Sequence, residues 1–502
     1  MLKADIQNFS DLILTSGSSF GKKVFLHSNE EKDFVITYEG LNDFTQSLQE
    51  FLQSHNIEQR SSIGVLLPND ILTALLFIAI PSINYIFVPI NPKLSKEEVS
   101  YICEDSEVSF IIAIEGLSVN IPKRVNYVTV NLGSSWIEEL LKNKTQEKFR
   151  LNKIDKSETA EIVYTSGTTG KPKGVELSHW NLISNAKGIS SSFNFSEKDK
   201  FLTITPLFHN SGQLFTTLAP MWTGSKSLPI RPEIALGGFW DLVIQNKISW
   251  TLGMGSHINF LLSQSNRNLD ICNHRLKGIL TGGMKLDEDK RKAFEDLFNT
   301  KVFITYGLTE TTSFATCEST KSTSSPGSVG KPMAINEIKI DEEAGGEVLI
   351  KGDNVFERYH KLDKLTSERK VNGWLRTGDI GYFDEKGNLF IKDRIDNMII
   401  VSGENVYPAE IEQHSSLLDD LFEFIIVGKE HPIKGVELVM VYNLKENKLP
   451  REISWSKILS KVLANYKIPT RYINIKELGY TEIPKAANGK LLRNKIKKIV
   501  NN

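Results

Sequence analysis

Cysteine is scarce in this sequence. The chain has 3 cysteines in 502 residues, at Cys103, Cys272 and Cys317, and no two of them have the spacing of a metal-binding or redox pair. An odd number of isolated cysteines argues against a disulfide framework and against a zinc site. We therefore expect a protein of the reducing cytoplasm.

An excess of charge of one sign is also absent. The sequence has 60 basic and 61 acidic residues, for a formal net charge of −1. A broad nucleic-acid surface requires an excess of lysine and arginine, so we expect no nucleic-acid partner. This composition is typical of an enzyme that acts on a small molecule.

A long, uninterrupted hydrophobic run is missing as well. The most apolar stretch covers residues 71–90, and Pro81, Asn84 and Pro89 interrupt it. A membrane-spanning helix needs roughly 20 apolar residues in succession. We expect no membrane span, and instead a buried helix that ends near Ile80 and a strand at residues 85–89.

The pattern of strands and helices indicates an α/β fold of two domains. Short apolar runs at residues 61–67, 109–113, 278–281 and 302–305 alternate with helical stretches at 38–54, 95–103 and 287–299. Alternation of this kind predicts layered sheets with helices on both faces. Past residue 345, short strands, among them one at residues 380–384, and glycine turns predict a small, mostly antiparallel β region. A later helix is predicted at residues 455–465. We expect a large N-terminal domain, residues 1–393, and a small, mobile α+β C-terminal domain, residues 397–502.

A glycine- and hydroxyl-rich segment follows a short apolar strand. Residues 164–174 read YTSGTTGKPKG. Glycine permits the backbone geometry that turns several N–H groups toward one anion, and the lysines supply charge. The spacing differs from the Walker loop, because only two residues separate Gly167 from Gly170 and Pro172 follows the lysine. The segment therefore predicts a different kind of phosphate-binding loop.

Five more segments follow in order. They are residues 206–213 (PLFHNSGQ, the gate segment), 306–310 (YGLTE), 373–379 (GWLRTGD), 392–412 (beginning KDRID, with SGENVYPAEIE from 402) and 484–493 (PKAANGKLLR). Together with the phosphate loop, they resemble the signatures of the adenylate-forming superfamily, which includes acyl- and aryl-CoA synthetases, peptide-synthetase adenylation domains and firefly luciferase. The resemblance covers nearly the whole chain and is closest to the acyl- and aryl-CoA ligases.

This resemblance implies a role for each matching residue. The implied nucleotide-binding residues are Thr165, Ser166, Gly167, Thr168, Thr169, Gly170, Lys171, Lys173, Gly282, Gly283, Tyr306, Gly307, Thr309, Asp379, Arg394 and Lys490. The implied catalytic residues are Lys490, Thr309, Glu310 and His209, and Glu310 is also the implied Mg²⁺ ligand. The acid is expected to contact His209, Asn210, Gly283 and Gly307. Asp379 would accept hydrogen bonds from the ribose hydroxyls, and Arg394 would contact the same ribose or the phosphates. Asp396 occupies the position of the hinge, and Gly403 that of the thiol channel.

The resemblance also implies the reaction. ATP and Mg²⁺ would activate a carboxylic acid as an acyl-adenylate, and the acyl group would pass to a thiol. Amino-acid-activating members carry an aspartate in the gate segment, and residues 208–211 here contain no carboxylate. This difference argues against an amino acid. Asn210 stands where aryl-acid-activating members place an asparagine that contacts the ring substituent. Several further candidates for the pocket are polar, so we expect a small, aryl or polar acid; these candidates are Gln213, Thr216, residues 253–257 and residues 311–313.

Three alternatives about the acceptor and the activity stay open at this point. The thiol can be free coenzyme A, or it can be the phosphopantetheine of an acyl or aryl carrier protein. The chain can also be a non-catalytic nucleotide-binding homologue. Such a homologue would be expected to lack Glu310, Asp379 or Lys490, and all three are present.

Overall fold

The structure is a computed structural model. It describes residues 2, 5–28, 31, 34–115, 121–122, 125–145, 153–165, 172–264, 274–283, 286–320, 325–401, 404–431, 435–485 and 491–501. The strands are β1 (Val24–His27), β2 (Val35–Thr37), β3 (Ser62–Leu66), β4 (Ile86–Pro89), β5 (Val108–Ile114), β6 (Asn126–Val130), β7 (Thr159–Thr165), β8 (Lys173–Ser178), β9 (Lys200–Thr203), β10 (Lys226–Pro229), β11 (Trp250–Gly253), β12 (Gly278–Thr281), β13 (Lys301–Tyr306), β14 (Thr316–Cys317), β15 (Lys331–Pro332), β16 (Asn336–Asp341), β17 (Glu347–Gly352), β18 (Arg358–Tyr359), β19 (Lys370–Val371), β20 (Trp374–Phe383), β21 (Leu389–Arg394), β22 (Ile399–Val401), β23 (Glu404–Val406), β24 (Leu421–His431), β25 (Gly435–Leu444) and β26 (Arg471–Asn474).

Helices lie between most of these strands. They are α1 (Phe9–Phe20), α2 (Tyr38–Ser54), α3 (Ile71–Ser82), α4 (Lys96–Asp105), α5 (Ser135–Lys142), α6 (His179–Phe193), α7 (Asn210–Gln213), α8 (Ala219–Thr223), α9 (Pro232–Gly237), α10 (Phe239–Asn246), α11 (Gly255–Ser263), α12 (Glu288–Phe298), α13 (Asp363–Arg369), α14 (Pro408–Glu412), α15 (Glu452–Leu459) and α16 (Arg493–Asn501). A π-helical turn covers Leu214–Leu218, and 3₁₀ turns cover Thr309–Thr311, Ile395–Asn397, Ser415–Leu417, Asn465–Lys467 and Ile475–Leu478.

Local sequence signals account for several helix ends. The Ser95 hydroxyl and the Glu98 carboxylate form a reciprocal capping box at the start of α4. Asp70 caps α3 by accepting from the Leu72 backbone N–H, and every residue of α3 is buried. The prediction that this helix ends near Ile80 was short by one half-turn, because Pro81 lies within its last turn. Among the described residues, the helices are too short or too polar to cross a bilayer.

The chain divides into two compact units. The first consists of Met1–Ile338 and Ile350–Leu375, and the second of Lys339–Leu349 and Arg376–Asn502. The divisions fall within strands β16, β17 and β20. The sequence predicts a domain boundary between residues 393 and 397, as the hinge of a domain motion. This hinge stays a prediction.

Two large sheets form the first unit. One has the strand order β18-β8-β7-β4-β3-β5-β6, and the other has the order β15-β14-β13-β12-β11-β9-β10-β1-β2. The pairings of β3 with β4 and β5, and of β11 with β9 and β12, are parallel, as the alternation of strands and helices predicts. The predicted α/β fold class is confirmed.

A three-stranded sheet forms the core of the second unit. β24 pairs with β25 in antiparallel register, and β26 pairs with β25 in parallel register. Alternate residues of β24 point to opposite faces, so Phe424 and Ile426 pack with Trp455 on one side, while Ile425 and Val427 pack with Ile496 on the other. A further sheet has the order β16-β17-β20-β19, with β21 paired to β20.

Candidate active site

The described ends of the predicted phosphate loop belong to a β-hairpin. Thr165 at the end of β7 is the register partner of Lys173 at the start of β8, and Tyr164 is the partner of Gly174. The hairpin therefore holds the two ends of the loop side by side. The loop residues themselves lie outside the described part of the chain, and they are Ser166, Gly167, Thr168, Thr169, Gly170 and Lys171.

A buried polar network supports this hairpin. Glu176 on β8 accepts hydrogen bonds from His360 Nδ1 (2.7 Å) and Arg358 Nε (2.9 Å). The hydrogen bond with the Glu176 carboxylate raises the pKa of His360. Tyr164 donates to Asp105 Oδ2 at 2.7 Å. The two contacts of Glu176 attach the strand β18 to β8. They therefore fix the position of Tyr359, which lies between Arg358 and His360.

Tyr359 orients the predicted metal ligand. Its hydroxyl donates to Glu310 Oε1 at 2.7 Å, and the Phe356 N–H donates to the Glu310 carbonyl at 2.8 Å. Burial and the adjacent carboxylate raise the pKa of Tyr359, so this hydroxyl stays a donor. Mg²⁺ is commonly held by one or two protein carboxylates together with substrate phosphates and water. One half-buried carboxylate, held in a fixed orientation, fits that requirement.

The turn that carries Thr309 and Glu310 is tightly folded. A side chain at Gly307 would bring its Cβ to 1.8 Å from the Ser313 carbonyl oxygen, so only glycine fits there. The Asn354 amide donates to the carbonyls of Thr311 (3.0 Å) and Phe314 (2.8 Å). Asn185 on α6 donates to the Phe314 carbonyl as well, at 2.6 Å. The buried side-chain amides of Asn354 and Asn185 therefore stabilise the conformation of this turn.

Four predicted site segments lie at one edge of the nine-stranded sheet. The neighbouring strands β13, β12, β11 and β9 are parallel, and their carboxyl ends lead to Tyr306, to Gly282 and Gly283, to Gly253 and to the gate segment. Ligands of open α/β sheets bind at this end of the strands. Gly282 lies close to Thr305, since a Cβ there would be 2.6 Å from the Thr305 carbonyl oxygen. Gly283 has a φ of +77° and nothing within 4 Å of a Cβ.

The gate segment contains a neutral histidine. Burial lowers the pKa of His209 to about 4, and its Nε2 atom is buried without a hydrogen-bond partner. A buried nitrogen without a partner is costly, so this atom is a candidate for contact with a substrate. His209 immediately precedes α7.

A buried carboxyl lies beside the gate segment. Glu161, in the middle of β7, is 0% exposed and accepts from Gln213 Nε2 at 2.7 Å and from Asn210 Nδ2 at 3.3 Å. Burial raises the pKa of Glu161 to about 8, and the hydrogen bond from Gln213 offsets part of this effect. The predicted substrate residue Asn210 is itself only 4% exposed.

The predicted ribose-binding pair forms in the second unit. Asp379 and Arg394 are register partners on β20 and β21, and Arg394 Nη1 lies 3.4 Å from Asp379 Oδ1. Arg394 also donates from Nη2 to the Thr377 carbonyl at 3.3 Å. The Arg394 Nε atom is buried without a partner. The structure therefore brings together the two residues that the sequence assigns to the ribose.

Asp393 organises the segment around the predicted hinge. Asp396 is exposed within the 3₁₀ turn Ile395–Asn397. Asp393 is 8% exposed and accepts from the Arg394 N–H, Asn397 Nδ2 and the Ala409 N–H at 2.7–2.8 Å. Both ends of the turn therefore depend on a carboxylate to which the sequence reading assigned no role.

The loop that contains Lys490 is closed at its base. Lys490 and Gly403 both lie outside the described residues. Lys485 and Leu491, which lie before and after Lys490 in sequence, form an antiparallel bridge. The Leu492 N–H donates to the Pro484 carbonyl at 2.9 Å. Arg493 forms a bidentate pair with Glu412 at 2.7 and 2.8 Å. These contacts fix where the loop begins and ends.

Comparison with known proteins decides the family. The AMP-binding enzyme family matches residues 15–360, which is more than half of the chain. The chain belongs to the AMP-binding enzyme family.

Two relatives of this chain have the same name. The 2-succinylbenzoate–CoA ligases of Bacillus pumilus and Listeria monocytogenes serotype 4b are both 30% identical, over 483 and 471 residues. The first alignment covers 93% of each chain, and the second covers 92% of this chain and 94% of the relative. The o-succinylbenzoate CoA synthetase of Bacillus subtilis, solved with its acyl-adenylate intermediate, is 27% identical with a TM-score of 0.84, and 97% of each chain is covered.

The comparisons confirm the superfamily and the kind of reaction that the motifs predict. This AMP-binding enzyme is an acid–thiol ligase of the acyl-CoA synthetase type, which activates a carboxylic acid as an adenylate before transfer to a thiol. The resemblance to an anthranilate CoA ligase, at 19% identity and a TM-score of 0.86, shows the shared fold alone. The roles of the individual site residues stay predictions.

Sequence reasoning missed several residues that support the site through hydrogen bonds. Tyr359, Asn354 and Glu161 lie outside the quoted signatures or were treated as ordinary strand residues. A signal was available for Glu161, because it is the one charged residue of the strand TAEIVYT. No local pattern marks Asn354 or Tyr359, since the site residues to which their side chains donate lie at least 40 positions away in sequence.

Proposed function

We propose that this chain is a 2-succinylbenzoate–CoA ligase. The observation that carries the proposal is the identity of 30% to enzymes of that name, along more than nine-tenths of both chains. The acid would be an aryl compound with a second polar group, which agrees with the expectation of a small, aryl or polar acid. A location in the cytoplasm is part of the same proposal.

The gate segment supports an acid of this class. Because His209 is neutral at physiological pH, it can offer one ring nitrogen to an uncharged carbonyl or a carboxylate without adding charge. The carboxyl of Glu161, which lies beside the gate segment, is fully buried and accepts hydrogen bonds from two amides. It is therefore not presented to the ammonium group of an amino acid.

ATP and Mg²⁺ are the proposed partners of the other residues. The phosphate loop, residues 165–173, would bind the β- and γ-phosphates through its backbone N–H groups. Glu310 would hold Mg²⁺, which neutralises phosphate charge when bound. Tyr306 with Gly282 and Gly283 would enclose adenine, Thr309 would donate to the α-phosphate, and Asp379 would accept from the ribose hydroxyls.

The reaction has two steps that need different groups. In the first, the acid's carboxylate attacks the α-phosphorus and pyrophosphate leaves, while Lys490 would neutralise the repulsion between the two anions. In the second, the thiol attacks the acyl carbonyl and AMP leaves. We propose that the C-terminal domain, residues 397–502, rotates about Asp396 between the steps, so that Gly403 replaces Lys490 beside the adenylate.

The deciding experiment measures pyrophosphate release from ATP and Mg²⁺ over a panel of acids. The panel contains 2-succinylbenzoate, benzoate, succinate, a long-chain fatty acid and alanine, each with and without coenzyme A. We expect release with 2-succinylbenzoate, a further rise with coenzyme A, and formation of the aryl-CoA thioester. Lys490→Ala is the control for contaminating ligases, because it should abolish the release.

Other outcomes would change the assignment in defined ways. Preference for a different acid would refute the proposed substrate. Adenylate formation that coenzyme A does not discharge, but a phosphopantetheine-bearing carrier protein does, would indicate a carrier-loading enzyme. Silence with every acid and both acceptors would favour a non-catalytic homologue.

A further inference from the structure

Glu161 is a fully buried carboxyl that two side-chain amides contact. It lies in the middle of β7, with Phe87 of β4 and Leu177 of β8 as its register partners. Its recorded hydrogen bonds come from the amides of Asn210 and Gln213. Among the described residues, the groups that shift the pKa of Glu161 do not include a lysine or an arginine, because burial raises it and the Gln213 amide lowers it. An ionised carboxylate in such a place would be strongly unfavourable.

The same two partners can also accommodate a neutral acid. A protonated carboxyl offers one O–H donor and one carbonyl acceptor, and a side-chain amide can turn to present either its oxygen or its nitrogen. Gln213 Oε1 is buried without a partner when the nitrogen faces Glu161. If the amide turns over, Gln213 Oε1 accepts the Glu161 proton across the same 2.7 Å. Burial raises the pKa of this carboxyl to about 8, in keeping with a proton held there.

The two amides belong to the helix that follows the gate histidine. α7 begins at Asn210 and ends at Gln213, and it continues into the π-helical turn Leu214–Leu218. At Gly212 a Cβ would lie 2.5 Å from the Pro206 carbonyl oxygen, so α7 also packs tightly against the start of the gate segment. A π-helical turn often marks a functional position. Movement of α7 would therefore move His209.

The strand that carries Glu161 leads to the phosphate loop. β7 ends at Thr165, four residues beyond Glu161, where the predicted loop begins. One buried carboxyl therefore connects the strand that leads to the ATP-binding loop with the helix that follows the acid-binding histidine.

We propose that Glu161 is a positioning residue for acid binding, which as a neutral acid fixes α7, and through it His209, against β7. The inference rests on the proposed function, because it takes the gate segment to bind the acid. It also gives Asn210 a different role from the predicted contact with the acid, since its amide nitrogen is engaged with Glu161.

Three variants separate positioning from simple stability. Glu161→Gln keeps the shape and the donor–acceptor pattern of the neutral acid, and it is the matched control. Glu161→Leu removes both oxygens at similar size, and Gln213→Leu removes the amide partner. The KM values for the acid and for ATP are measured in each, with whichever acid of the panel the wild-type chain activates, next to the thermal unfolding temperature.

We expect both leucine variants to raise the KM for the acid by about tenfold, with the KM for ATP within about twofold. Glu161→Gln should keep both values within about twofold of the wild-type chain. An unchanged KM for the acid in a folded leucine variant would overturn the proposal. So would an equal rise in the KM for ATP, or a glutamine variant as impaired as the leucine variant.

Hydrogen exchange without substrates provides a readout that is independent of activity. The N–H groups of Leu207, His209 and Gln213 are hydrogen-bonded to Asn69 Oδ1 (2.7 Å), the Pro206 carbonyl (3.1 Å) and the His209 carbonyl (3.2 Å). We expect their exchange to become about tenfold faster in Glu161→Leu and to be unchanged in Glu161→Gln. Equal exchange in all three proteins would overturn the proposal even if the wild-type chain activates no acid, whereas that silence alone would count against the proposed function.

Discussion

At the scale of single residues, the geometry of Glu310 depends on one hydroxyl. Tyr359 donates to its carboxylate at 2.7 Å, and hydrogen bonds to a charged group contribute about 1.5–3 kcal/mol. We expect Tyr359→Phe to raise the Mg²⁺ concentration needed for half-maximal pyrophosphate release by about tenfold, because the carboxylate loses its fixed orientation. The measurement is a Mg²⁺ titration at saturating ATP and acid.

Tyr382→Phe is the matched control for that titration. Tyr382 is 44% exposed and stacks on Phe390 in the second unit. It should leave the Mg²⁺ dependence unchanged. If Tyr359→Phe and Tyr382→Phe gave the same titration curve as the wild-type chain, Tyr359 would have no role in orienting the metal ligand.

Glu161 makes the stability of the fold depend on pH. Burial raises its pKa from 4.5 to about 8, so between these values the folded chain holds a proton that the unfolded chain releases. The contribution of Glu161 to the free energy of unfolding therefore falls as pH rises from about 4.5 to about 8, and is constant above that range. Each pKa unit corresponds to about 1.4 kcal/mol, so the total effect is of the order of a few kcal/mol.

Glu161→Gln tests this dependence directly, because glutamine has no proton to lose. We expect the free energy of unfolding of the variant, relative to that of the wild-type chain, to be higher at pH 8 than at pH 5. Urea unfolding at the two pH values measures both differences. Parallel pH profiles for the two proteins would mean that Glu161 is already ionised in the folded chain at pH 5.

At the scale of elements, the turn that carries Glu310 is held by amides from distant segments. The Asn354 side-chain amide donates to the carbonyls of Thr311 and Phe314. The main-chain carbonyl of Asn354 accepts from the Thr312 hydroxyl at 2.7 Å. Thr312 has a φ of +62°, a conformation that costs about 1–2 kcal/mol for a residue other than glycine. The surrounding contacts therefore maintain this turn against its local preference.

Asn354→Ala should release the turn. It leaves two buried carbonyls with fewer donors, and each buried group without its partner costs about 1–3 kcal/mol. We expect a loss of stability of about 2 kcal/mol, together with a kcat for pyrophosphate release that falls about tenfold, because Thr309 and Glu310 are displaced. Asn388→Ala, which removes a buried amide from a turn in the second unit, should lower stability without lowering kcat.

Elements were more predictable than the contacts between them. The helix at residues 38–54 and the strand at 278–281 were predicted with the observed bounds. The helix has one buried face, which gives its apolar residues a helical periodicity, and the strand is a short run of residues that are all buried. The strand predicted at 380–384 instead covers Trp374–Phe383. Its beginning was missed because Gly378 and Asp379, which are unfavourable in strands, precede the apolar residues. The helix predicted to reach residue 465 ends at Leu459.

The same limit applies to the candidate site. Signatures that are continuous in sequence, such as residues 306–310, are visible without a structure. The supporting contacts join residues 49 positions apart for Tyr359 and Glu310, and 52 apart for Gln213 and Glu161. Only the pairing of strands and the packing of α7 bring such residues together, and neither can be read from a single sequence.

At the scale of the whole molecule, two half-reactions must use one bound adenylate, and the proposed hinge assigns them to different conformations. Substitutions in the C-terminal domain should then separate the two steps. We expect Lys490→Ala to slow adenylate formation by about 100-fold or more while sparing thioester formation from supplied acyl-adenylate, since the lysine acts only where charge develops at the α-phosphorus.

Asp396→Pro should have the opposite effect. Proline fixes φ near −65°, which lies within the range of a 3₁₀ turn, but it removes the backbone freedom that a hinge requires. We expect adenylate formation to stay within about twofold of the wild-type rate and thioester formation to fall by about tenfold or more. Each step is measured separately, by pyrophosphate release and by conversion of supplied adenylate to the thioester. Equal loss of both steps in either variant would mean that the chain performs them in one conformation, because opposite defects arise only if each conformation serves one step.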